Sequence, residues 1–180
     1  MKIESPAFTI ADVRSFMDTY AARERDLLAD RLTRVSQRLA EIGPLVKAEP
    51  GGDDDWNAHE LLAHIAVLSK FYGVLFHQVA AGKPHADLLA AVNARDSGGQ
   101  QMAQVAPEEL LRMTLADQER TVNALRSTDP TALRRTAQLG DSITMTAEEI
   151  ARMPLISHLE MHIDDLETMV ANPTKSEASP

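Results

Sequence analysis

The chain has 180 residues, with 27 acids against 18 Lys and Arg, six His and no Cys. At about 100–200 residues per domain that length holds one core, and 44% hydrophobic against 25% charged residues excludes a disordered chain. The missing cysteine excludes disulfides, thiolate zinc sites, iron–sulfur clusters and a cysteine nucleophile, while a charge of −9 without a Lys/Arg cluster argues against nucleic acid.

The start, Met1 to Pro6, carries an early acid and a proline where a signal peptide needs a continuous apolar run. From Val13 to Ile42 apolar residues fall at 13, 16 and 20, then 28, 32, 35, 39 and 42, the step of a first amphipathic helix. Gly43-Pro44 ends it, because proline cannot continue a helix. An acidic loop, Gly51 to Asp55, leads into a second helix and is expected to cap it. Its stripe is Leu61, Ile65, Leu68, Tyr72, Leu75 and Val79, and Gly82-Lys83-Pro84 stops it. The most apolar stretch, Leu61 to Leu75, is broken by His64, Ser69 and Lys70, too polar for a membrane span. A soluble, cytoplasmic protein is the expectation.

Between 84 and 106 a short helical piece fits Leu88 to Val92, and Asp96 to Gly99 breaks it. A third helix opens at Pro107 with Glu108 and Glu109, and its expected seam is Leu111, Leu115, Gln118, Val122 and Leu125. After Asp129-Pro130 come two short extended pieces around Gly140-Asp141. Thr146 and Glu149 then form a capping box for the fourth helix, in which Pro154 forces a kink. The sum is an all-α, four-helix bundle with one long crossover: a single domain over 1–171 and a frayed polar tail over 172–180.

His158 and His162 stand at i and i+4, with His162 in register between Leu159 and Leu166. His64 shares a stripe with Leu61, Leu68, Phe71 and Leu75, so three imidazoles face inward from two helices. Such a set reads equally as hydrogen-bonded core residues or as a site for Zn²⁺, Ni²⁺ or Fe²⁺ with coordination positions left open. His59, about 140° around the helix from His64, cannot share that ion and is expected to be exposed. No His follows a Glu by three residues, which excludes a di-iron bundle. Trp56 reads as a packing anchor, and Asp164 and Asp165 as solvated acids or as acceptors that orient an imidazole. His77 and His85 have no evident partners, and the eight Met read as core filler.

Trp56 to Ile65 (Trp-Asn-Ala-His-Glu-Leu-Leu-Ala-His-Ile) resembles the second-helix signature of the DinB/YfiT-like superfamily. His158 to Leu166 is similar to its fourth-helix H-x-x-x-H element, and Thr146 to Ile150 fits the lead-in. The resemblance spans most of residues 8–171 and implies a DinB-like bundle, often a homodimer, with a divalent metal on His64, His158 and His162. Related mycothiol-dependent maleylpyruvate isomerases place Glu where His158 stands, so the chain resembles the all-His branch. It further implies a small-molecule substrate and a low-molecular-weight thiol co-substrate, hence a thiol S-transferase. The alternatives are a metal-dependent hydrolase on the same residues, or a non-enzymatic dimeric stress-response or metal-binding protein.

Overall fold

A computed structural model describes residues 9–48, 56–83, 101–139 and 143–172 of the protein. Helix α1, Ile10–Ile42, is opened by a reciprocal cap. The Thr9 hydroxyl accepts from the Asp12 amide at 3.2 Å, and the Asp12 carboxylate accepts from the Thr9 amide at 2.8 Å. It ends at Gly43, where a Cβ would come 2.5 Å from a Leu111 methyl, so the chain turns tightly against its neighbour.

Helix α2, Ala58–Ala80, is capped by Asn57, whose side chain accepts from the Glu60 amide at 2.9 Å while Glu60 accepts from the Asn57 amide. Capping was expected from the acidic loop 51–55, which lies outside the described residues. A short amide side chain directly before the first turn suffices. At the other end Gly82, at φ 66°, lets its own amide reach Val79 O and the Lys83 amide reach Gln78 O, closing the last carbonyls.

Helix α3 is Pro107–Ser127 and a short 3₁₀ turn covers Pro130–Arg134. Strands β1 (Thr136–Leu139) and β2 (Ile143–Thr146) pair antiparallel, Thr136 opposite Thr146, as the two extended pieces. Helix α4 follows in three parts: an α turn Ala147–Ile150, a π-helical stretch Ala151–Ser157 and an α segment His158–Ala171. Its Thr146–Glu149 capping box forms as read from the sequence. Pro154 sits inside the π stretch, where wider turns absorb its missing N–H and ring. Leu88 to Val92, Asp96 to Gly99, His85, Gly140-Asp141 and tail residues 173–180 lie outside the described residues.

Pairings between helices give the topology. Ser36 meets Gln118 and Asp30 meets Arg126, so α1 and α3 are antiparallel. Gln118 meets Ser69, and Gly73 approaches Thr121, so α2 and α3 are parallel. Glu24–Arg152, Arg31–Glu160 and Arg38–Glu167 form a ladder that sets α1 parallel to α4. Inside lie Leu28, Leu32, Val35 and Leu39 of α1, Leu61, Leu62, Ile65 and Leu68 of α2, and Ile156, Leu159, Ile163 and Leu166 of α4, all buried. Each such side chain is worth about 1.5–3 kcal/mol.

Two expectations need correction. Val13, Phe16 and Tyr20 are not core but exposed, Phe16 at 67%. At 33 residues α1 is about 50 Å long against about 34 Å for the 23 of α2, so its first turns have no described neighbour of equal reach. On α3 the buried seam is Leu110, Thr114, Gln118, Thr121, Val122 and Leu125, with Leu111 and Leu115 only half-buried. α3 packs on two helices at once, and the polar members are satisfied internally. The Thr114 hydroxyl donates to Leu110 O, and Gln118 bridges Ser36 at 2.7 Å and Ser69 at 3.0 Å. Among the described residues no helix is long and apolar enough to cross a membrane.

Candidate metal centre

Helices α2 and α4 place the histidines. His64 lies in the second turn of α2, and the π stretch of α4 hands over to α-helix at His158, so His158 and His162 face it one turn apart. The site stands toward the end of the bundle where α1 finishes and α2 begins. Ring centroids are 5.7 Å apart for His64 and His158, 4.8 Å for His64 and His162, and 4.6 Å for His158 and His162. One nitrogen from each lies within 4.8 Å of the others, and all three residues are half-buried. Two ligands about 2.1 Å from one ion sit at most about 4.2 Å apart, so small ring rotations would close the set.

The donor set fits a metal on a second ground. His162 Nε2 is buried with no hydrogen-bond partner, while Nδ1 faces Asp165 Oδ2 at 3.4 Å. An orphaned imidazole nitrogen costs about 1–3 kcal/mol of desolvation that a ligand would recover. A carboxylate on the opposite nitrogen holds the proton there and leaves the Nε2 lone pair for the ligand, the arrangement of metal-bound histidines. Three neutral nitrogens suit Zn²⁺, Ni²⁺ or Fe²⁺ alike. This group could hold a metal ion.

Of the two neighbouring acids, only Asp165 serves the histidines. Asp164 binds Arg38 of α1 at 2.6 Å, and Glu167 binds it at 2.8 Å. These two carboxylates, Glu167 foremost, hold the Arg38 guanidinium above its ordinary pKa range. The ladder thereby fixes the rotation of α4 that turns His158 and His162 toward α2.

Trp56 is not the packing anchor expected of it. It is 51% exposed and packs at a tilt against the His64 ring, centroids 4.5 Å apart, with His162 at 6.2 Å, so it forms one wall of the site. Its place two helical turns before His64 was the available sequence signal. His59 also departs from expectation: it is buried, and its Nε2 lies 2.8 Å from Val105 O. The angular separation from His64 stands, but the residues leading into α3 cover that face. His77 is exposed and remote from the cluster.

No family model matches the chain, and no curated protein matches it. Among solved structures the chain is similar to a mycothiol-dependent maleylpyruvate isomerase and to a histidine-to-alanine variant of it. Each is 21% identical with a TM-score of 0.61 over 81% of this chain. The chain spans 60% of the length of that enzyme, and at this identity the likeness is one of fold: an all-α helical bundle.

Proposed function

We propose that the protein is a metal-dependent enzyme that transfers a low-molecular-weight thiol onto a small electrophile, with His64, His158 and His162 as metal ligands. The observation that carries this reading is the convergence of three imidazoles around the unpartnered His162 Nε2. A bound divalent ion would supply Lewis acidity, lowering the pKa of a thiol or water placed in its open position. Asp165 keeps the His162 proton on Nδ1, and Trp56 shields one side of His64 from water while offering an apolar wall to the substrate. The absence of cysteine means the sulfur comes from outside the chain. A fold shared with an enzyme whose name marks it as mycothiol-dependent favours a thiol over other nucleophiles. The missing cysteine also suits a reducing compartment, which supports a cytoplasmic setting.

The test is thiol consumption by the zinc- or nickel-loaded protein with mycothiol, bacillithiol or glutathione and an activated electrophile. Turnover that disappears in His162→Ala supports the transferase. Turnover that needs no thiol and rises near neutral pH replaces it with hydrolysis on the same residues, and a loaded protein inert in both assays is a metal-binding protein instead. The homodimer is likewise a proposal, supported by the exposed apolar residues Ile10, Phe16 and Tyr20 of α1, and light scattering reads it directly.

A further inference from the structure

A second concavity lies away from the histidines, along the outer seam of α2 and α3. It encloses about 420 Å³, within the range of small-ligand sites. His64 and His77 on α2 are about 20 Å apart along the helix, so this groove and the histidine cluster are separate. Its floor is Gly73 between buried Ser69 and Thr121. A Cβ at position 73 would collide with the Thr121 hydroxyl, so glycine lets α2 and α3 approach closely beneath the groove. Val74, half-exposed, and Ala124 add an apolar wall.

The rim is cationic. Lys70, Lys83 and Arg120 line it beside His77, and among the described lining residues the one acid is Asp117, which Arg120 already engages. The side chains of Lys70, His77 and Lys83 make no hydrogen bond or ion pair among the described residues. In a chain of net charge −9, free positive charge around one concave apolar surface is a local reversal of the field, and low-dielectric walls focus it.

We infer that this groove binds an amphiphilic organic anion, its carboxylate, sulfonate or phosphate head between Lys70 and Lys83 and its apolar body against Val74 and Gly73. The probe is 8-anilinonaphthalene-1-sulfonate, an aryl sulfonate, followed by its fluorescence and by amide chemical shifts of the whole chain. The expected result is one site per chain, with shifts centred on Ser69, Gly73, His77 and Thr121. Affinity should fall about tenfold in Lys70→Glu/Lys83→Glu, two exposed positions that leave folding intact, and should weaken with salt. Unchanged affinity in that double variant overturns the inference. So do the absence of binding, and shifts confined to residues 10–27 of α1 or to His64 and His162.

Discussion

Zinc should raise the melting temperature of this protein, and the three histidines should carry the whole effect. A ligand that binds only the folded chain stabilises it by about 2.7 kcal/mol when its free concentration is 100 times Kd. With 180 residues at about 2.1 cal/mol/K each, the unfolding entropy is about 0.38 kcal/mol/K, so the expected rise is about 7 °C. His162→Ala removes the nitrogen that has no other partner and should abolish the rise. Asp165→Ala removes only the long 3.4 Å contact to Nδ1, and a tenfold weaker affinity, the low end for such an orienting group, leaves about 1.4 kcal/mol and about 4 °C. The metal-free protein should behave in the opposite sense. His162→Phe removes a buried unsatisfied atom, so after chelation it should match the wild type or exceed it by about 1 kcal/mol. Scanning calorimetry with and without chelator measures all four proteins. Equal zinc-induced shifts in wild type and His162→Ala, or none in the wild type, would refute the reasoning.

Two further outcomes follow from the bundle itself. Gln118→Leu keeps the volume but strips Ser36 and Ser69 of their shared partner. Ser36 retains Leu32 O and Ser69 loses the bond it accepts from the Gln118 amide, so urea unfolding should show a loss of about 1–3 kcal/mol; a change below about 0.5 kcal/mol would mean water replaces the bridge. Glu149 accepts first from the Thr146 amide and then from its hydroxyl, which hold its carboxyl below the ordinary 4.5. A depressed folded-state pKa gives stability that is present above the unfolded value and lost as pH falls through the folded one. The Tm advantage of wild type over Glu149→Gln should therefore be full at neutral pH and be lost as the pH falls from the ordinary 4.5 through the lowered folded-state value.

The elements were legible because their signals are local. Gly43-Pro44, Gly82 and Pro107 punctuate the chain through backbone rules that need no partner, and the Thr146–Glu149 box forms within one turn. His158 and His162 share a face by spacing alone. Other features were hidden for a common reason. The periodicity of α3 suggested a seam on Leu111 and Leu115, but which sector is covered depends on two neighbours, and hydrogen-bonded Thr114 and Gln118 fill it. Periodicity also continued Val13, Phe16 and Tyr20 into the core stripe, although nothing in a helical repeat states how far the partner helices extend. The burial of His59 is not legible from its own helix, because the segment that covers it is distant in sequence.

By itself, then, the sequence determined four helices, their stops and the pair of histidines on the last one, since each follows from interactions a few residues apart. Only the tertiary structure decided that His64 meets that pair, that Trp56 walls the group and that Asp165 rather than Asp164 attends it. Those choices depend on how α4 is rotated against α1 and α2, which the π turns around Pro154 and the Arg31 and Arg38 ion pairs fix. A helix carries its own register in its sequence, but the angle at which it presents a face belongs to the helices it packs against.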